Sequence, residues 1–301
     1  MTVQSVTPGA RRLLAWVGFA TTSLSLSAAR PLAAQTDFYN TDAARPVRIE
    51  DAYPTERYAF ELQLAPLRLE RARGGTYSWE VEPEVAYGIL PRTHVEVGFP
   101  IAFVDPGGEA QQQGLAGISI SALHNLNVET AFPAFGIAAD VLLPVGALAP
   151  DRAYASVTGI ATRTYSWARF HVNGQYTFGS EPDDGIEPVD PLAAADDVVL
   201  APRQPETRTE ASRWMAGIAV DRTFPLRSLL VTADVFVEQP LDDDADLQWN
   251  VEAGLRRQVS PVLAFDAGLG RRLSGDDQGW FVTLGSAYAF GVRSLIPVRM
   301  P

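Results

Sequence analysis

The sequence predicts an all-β fold, a transmembrane antiparallel up-and-down β-barrel of about twelve strands, and three observations carry that prediction. Between Tyr77 and Ile101 apolar side chains fall on almost every odd position and Glu80, Glu82, Glu84, His94 and Glu96 on even ones. A period of two sorts side chains to opposite faces of a strand, here one apolar and one rich in carboxylates. The same pattern recurs to the carboxyl terminus in about twelve segments, near the roughly 9 to 11 residues that a membrane-spanning strand needs. The connections alternate between short turns and longer acidic loops, the asymmetry of outer-membrane barrels.

Taken in order, the first strand starts at Tyr58 and alternates until Pro66 shifts its phase, which predicts a bulge. The stretch Tyr77–Ile101 supplies two strands joined by LPRT. Pro83 lacks an amide hydrogen, so its strand must lose a ladder bond or carry a bulge. GLAGISISALHNL and PAFGIAADVLLP form the fourth and fifth strands and YASVTGIATR the sixth, the least patterned of the set with the fourth. RFHVNGQYTFG is the seventh, followed by SRWMAGIAVD, SLLVTADVFVEQ, LQWNVEAGLRR, VLAFDAGLGRR and WFVTLGSAYAF. Losing a hairpin would leave ten strands. If the first strand rises from the periplasm, the acidic loops are extracellular and both termini periplasmic. Aromatic rings favour membrane interfaces. Trp79, Phe103, Tyr176, Phe178, Trp214, Trp249 and Trp280 fall near one end of their segments, and Tyr58, Tyr87, Tyr288 and Phe290 near the other. The competing reading is a soluble β-sandwich whose odd face packs on protein.

Ahead of the barrel, Arg11 and Arg12 precede LLAWVGFATTSLSLSAA, which reads as a secretory signal over 1–34. Residues 35–57 contain Pro and charge without a sustained period and read as a periplasmic amino-terminal segment, with the barrel over 58–301. Export places the protein in the outer membrane of a Gram-negative-type bacterium, with outer-membrane lipid as its surroundings. The 301 residues carry a formal charge of -12 and no cysteine. A disulfide framework and thiol chemistry are thereby excluded. Removing the three arginines of 1–34, a stretch without acids, takes the charge from -12 to -15, and so acidic a chain is not a nucleic-acid binder. All 24 basic residues are arginine.

EPEVAYGILPRTHVEVGFPI, the GLAGISISALHNL strand after a Gly-rich loop, the fifth strand ending LLPVG, and NGQYTFG together resemble the MetA-pathway of phenol degradation family of outer-membrane barrels. The resemblance covers most of the mature chain, although the Asp and Lys expected near the start of the fourth strand are missing. It implies a passive route for small molecules, aromatic or hydrophobic ones among them, without naming a phenol substrate.

The inward register predicts a lumen lined by Glu61, Glu80, Glu82, Glu84, Glu96, Asp140, Asp221, Asp234, Glu238, Glu252 and Asp266 against Arg169, Arg213 and Arg256, with His94 and His171 as hydrogen-bonded wall residues. A water-filled lumen of that charge favours cations and neutral solutes over anions. Arginine–carboxylate pairing that closes the lumen is the competing outcome. Glu80, Glu82 and Glu84, or the loop acids Asp242, Asp243, Asp244, Asp276 and Asp277, have the chemistry for a cation, but solvated or paired carboxylates are the default and no metal or cofactor is expected. An outer-membrane lipid hydrolase is the enzyme alternative. No GxSxG, HExxH or phosphate loop appears, and Ser119 and Ser121 lie on the opposite strand parity from His124, so no catalytic residue is assigned. A third class, a structural or surface-binding barrel, would use the long loop 180–211, which could equally fold inward as a constriction. The sequence is silent on oligomeric state.

Overall fold

The structure, a computed structural model, describes residues 40–72, 77–105, 111–179, 212–241, 246–275, 278–292 and 295. The expected signal 1–34, the loop 180–211, and the acids Asp242, Asp243, Asp244, Asp276 and Asp277 lie outside the described residues.

Twelve antiparallel strands close into a barrel. They are β1 (Ala59–Ala72), β2 (Tyr77–Leu90), β3 (Thr93–Gly98, resumed at Ile101–Asp105), β4 (Gln112–Leu115, resumed at Ile118–Asn125), β5 (Ala134–Leu143) and β6 (Tyr154–Thr164). The series continues with β7 (Arg169–Phe178), β8 (Ser212–Phe224), β9 (Leu229–Pro240), β10 (Gln248–Ser260), β11 (Leu263–Arg272) and β12 (Gly279–Gly291). Each strand pairs with its sequence neighbours, and β1 pairs with both β2 and β12, so the sheet has no free edge. Hydrocarbon offers backbone amides no partners, and closure removes that cost.

Both prolines act locally as their chemistry requires. The register of β1 slips between Leu64 and Leu67, where Ala65 and Pro66 stand opposite one residue of β2. Pro83 leaves β2 continuous, and the ladder lapses on its partner at Phe99 and Pro100, where the Phe99 amide still donates to the Pro83 carbonyl (3.0 Å). On the other side of that gap β4 carries a bulge at Ala116 and Gly117, with Gly117 at φ +144°.

The two faces differ as the alternation requires. Outward positions on β12 are Trp280, Val282, Leu284 and Tyr288, all exposed, whereas Phe281, Thr283, Ala287 and Ala289 between them are buried. Aromatic rings gather in outward groups at both ends. At the end bearing the longer loops, Trp79 stacks on Phe103 (5.6 Å between centroids) and Tyr176 meets Phe178 edge-on (5.2 Å). At the end bearing the short turns, Phe60 stacks between Tyr87 (4.4 Å) and Phe290 (5.3 Å), with Tyr288 alongside. Trp249 is exposed on the outward face of β10, and Trp214 is half-buried near the loop end of β8.

Candidate functional site: the barrel lumen and its amino-terminal segment

Residues 40–57, expected as a stretch leading up to the barrel, cross its interior. From Asp42 to Arg57 they touch every one of the twelve strands, a set of neighbours that only a segment inside the ring can have. Arg57 bridges to Gly88 of β2, and the Thr55 amide donates to His94 Nδ1 on β3 (3.1 Å). Ala52 packs with Leu123 of β4, Ala134 of β5 and Ile160 of β6; its carbonyl accepts from Asn125 (2.8 Å) and its amide donates to Thr162 Oγ1 (3.0 Å). Asp51 lies 3.5 Å from Arg169 on β7. Ile49 packs on Met215 and Ala219 of β8 and Phe236 of β9, and its amide donates to Asp234 (3.0 Å). The Arg48 amide donates to Glu252 of β10 (2.7 Å). Thr283 of β12 donates to the Pro46 carbonyl (3.1 Å), and Arg45 reaches Asp266 of β11 (3.1 Å) and Glu61 of β1 (3.9 Å).

The segment folds back on itself, with the Asp51 amide donating to the Thr41 carbonyl (3.0 Å) and the Thr41 amide to the Asp51 carboxylate (3.1 Å). Both of its ends therefore lie in the turn-end half of the barrel, Asn40 against Arg256 and Arg57 against Gly88. Wall glycines make room for the excursion. A Cβ on Gly254 would stand 2.7 Å from Pro46 Cβ, and one on Gly268 would strike the Pro46 carbonyl.

Charge holds the segment in two clusters. In the first, Arg45 is buried between Asp266, Glu61 and Asp42, and Arg256 closes the group through Asp42 (2.8 Å) and Asp266 (3.8 Å). A buried guanidinium is tolerable only when paired this fully. Burial raises the carboxyl of Asp42, but Arg256 and Arg45 outweigh it and hold the group below its ordinary 3.8. Burial likewise opposes the charge of Arg45, and Asp266, Asp42 and Glu61 more than restore it. In the second cluster, Arg169 grips Asp221 with two nitrogens (2.9 and 2.7 Å) while facing Asp51. Burial keeps Asp51 above 3.8 despite Arg169. Glu50, half-buried, is pushed up to about 8 by burial first and then by Glu96, Asp42 and Asp51, with Arg48 opposing. The Tyr53 hydroxyl, which donates to Glu129 (3.3 Å), is pushed up to about 12 by burial and by that carboxylate.

Several of the other residues expected to line the lumen have polar partners of their own. His171 Nδ1 meets Thr162 Oγ1 (3.0 Å) and its Nε2 meets Asp221 (2.9 Å). Hydroxyl, imidazole and carboxylate thus stand in line, but Thr162 Oγ1 already accepts from Ala52 and the whole group is covered by the segment. Glu82 accepts from Ser119 (2.6 Å), Glu96 from Ser121 (3.2 Å), and Asp140 from Ser156, to which Gln175 also donates (2.9 Å). Glu238 accepts from Ser212 (2.8 Å) and Asn250 (3.2 Å). Glu80 and Glu84 are half-buried, and Arg213 turns to the carbonyls of Thr177 and Gly179. Among the described residues no cluster of three or more metal-ligating side chains forms. Arg45, which answers Asp266 and Glu61, and Arg48, whose guanidinium donates to Gln175 (3.4 Å), were not among the expected lining. The inward glycines of β10 and β11 were the available signal, since a glycine inside a strand marks a close approach of other backbone.

No family model matches this chain, and no curated protein does. Among solved structures, an outer membrane channel from Pseudomonas putida F1 aligns with a TM-score of 0.51 at 14% identity, covering 80% of this chain and 98% of that one. The KdgM porin aligns at 0.47 and 9% identity over 76% of this chain and 99% of its own. At 14% identity the first of these likenesses shows the fold alone.

Proposed function

We propose that this chain is an outer-membrane channel for the passive passage of small molecules, gated by its own residues 40–57. The observation that carries the reading is the segment's contact with all twelve strands through a largely polar seat. Ion pairs and amide-to-carboxylate bonds can be replaced by water when the segment leaves, whereas a continuous apolar core could not be exposed at comparable cost. With the segment displaced, Glu61, Asp234, Glu252 and Asp266 are left facing the lumen and favour cations and neutral solutes. The short-turn end, where both ends of the segment lie, is then periplasmic, and the longer loops face outside. The resemblance to the MetA-pathway of phenol degradation family points to aromatic or hydrophobic solutes, and the fold shared with a bacterial outer membrane channel supports the location. The line of Thr162, His171 and Asp221 is read as part of the seat, not as a hydrolase.

A specific observation favours a second reading. Burial of Arg45 and Asp51 in the seat also suits a permanently filled barrel with a structural or surface-binding role. Conductance in planar bilayers separates the two. The mature chain is expected to show rare, brief steps, and a variant lacking residues 40–56 steady cation-preferring ones. A correctly folded deletion variant that gives no steps sinks the channel reading.

A further inference from the structure

We propose that the outward face of β2, β1, β12 and β11 carries, at the loop end, a binding site for the phosphate-bearing headgroup of an outer-leaflet glycolipid. Strand register places Tyr77, Arg71, Trp280 and Arg271 in one cross-strand row. Tyr77 is paired with Arg71, Arg71 with Trp280, and Trp280 with Arg271. All four side chains are exposed. The Arg71 guanidinium lies 5.3 Å from the Tyr77 ring centroid and that of Arg271 4.9 Å from the Trp280 ring. Neither arginine has a carboxylate within ion-pair distance among the described residues.

The depth of the row decides what it meets. One pleat repeat toward the barrel centre, roughly 7 Å along the strands, the same four strands present Trp79, Leu69, Val282 and Leu269 in the same register. That row is wholly apolar, so the two guanidiniums stand just above the hydrocarbon boundary, at headgroup level. Arg71 and Arg271 lie two strands apart, on the order of 10 Å, flanking the Trp280 ring. Stacking on a ring fixes a guanidinium plane while leaving its N–H groups free, and that planar fork matches a phosphate oxygen pair. At the opposite end Arg222 stacks alone over Phe224 (5.3 Å) and has no second arginine in its row. Assigning the site to the outer leaflet rests on the sidedness argued above; the phosphate chemistry does not.

The test is native mass spectrometry of the refolded mature chain in neutral detergent micelles, with diphosphorylated lipid A, its dephosphorylated form, phosphatidylglycerol or inorganic phosphate added in turn. Lipid A adducts are expected with the wild type and with R222Q. They should weaken about tenfold or more in R71Q/R271Q and weaken less in R71K/R271K, which keeps the charges without the forks. Heat-modifiable gel mobility verifies folding of each variant, and the lysine pair keeps the test alive should the glutamine pair misfold. Adducts unchanged in R71Q/R271Q, or lost equally in R222Q, overturn the site. Phosphatidylglycerol adducts as strong as those of lipid A, or displacement by inorganic phosphate, overturn the glycolipid assignment. Because no conductance is read, failure here is distinct from failure of the channel reading.

Discussion

The outer and inner walls of this barrel are built from alternate residues of the same strands, yet they solve different problems. The outer wall presents exposed apolar side chains, and an apolar surround asks nothing more of Val282, Leu284, Leu269 and their neighbours, which need no particular partner. Among the described residues the inner wall meets the stretch 40–57, and Arg256, Asp266, Asp234 and Glu252 each have a named contact on it. Substitution on the outer wall should therefore follow depth and polarity, and on the inner wall the identity of the contact.

The largest effect expected on the inner wall comes from Arg45→Ala. It leaves the half-buried Glu61 without its cation and the buried Asp266 with Arg256 alone at 3.8 Å, which costs the seated state roughly 3–5 kcal/mol. Because the chain has no cysteine, Val47→Cys provides a unique thiol, buried while the segment is seated. Its labelling rate should rise by about two to three orders of magnitude when Arg45→Ala is added; an unchanged rate would mean the charge cluster does not hold the segment. On the outer wall, Leu284→Arg near the barrel's mid-height should cost roughly 2–4 kcal/mol in denaturant titrations in lipid without altering that labelling rate. Should the thiol become reactive, the two walls are not independent. Gly254→Leu is smaller again: the added side chain meets Pro46, overpacking costs roughly 1–3 kcal/mol, and labelling should rise while the global unfolding midpoint stays near that of the parent.

This contrast also explains what could be read from the sequence. All twelve strands, the bulge at Pro66 and the outward aromatic groups follow from local periodicity, because a featureless solvent imposes a regular pattern. Pro83 announced a broken ladder, but the break falls on Phe99 and Pro100 of its partner, which no local rule specifies. The segment 40–57 was legible only as polar chain. Its partners lie far away in sequence, Arg45 with Asp266 and Asp42 with Arg256, and three residues of alternation around Val47 and Ile49 are too few to mark an element. The excess of inward carboxylates over inward arginines was the hint: so many acids facing one interior need partners from somewhere, and the segment supplies the Arg45 guanidinium and the amides of Arg48 and Ile49.

The seat also differs from the outer wall in responding to pH, and Glu50 is the group to watch. Seated, it is pushed up to about 8, chiefly by burial and then by Glu96, Asp42 and Asp51 against the opposing Arg48; released into water it returns toward its ordinary 4.5. The seated state therefore holds a proton that the released state gives up, and linkage fixes the sign. The contribution of Glu50 to seating is complete below about 4.5 and is lost as pH rises through about 8. Asp51, raised as well, works in the same direction. Asp42, lowered by Arg256 and Arg45, works in the other: its contribution is present above 3.8 and fades as pH falls below its depressed value. Open probability in bilayers should accordingly be lowest in mildly acid solution and climb on the alkaline side. Glu50→Gln keeps the side chain neutral at every pH, so it should flatten the alkaline climb and leave the acid limb, set by Asp42, in place. An alkaline climb that survives in Glu50→Gln would assign the response to the wall carboxylates, making pH sensitivity a property of the barrel and not of the segment that fills it.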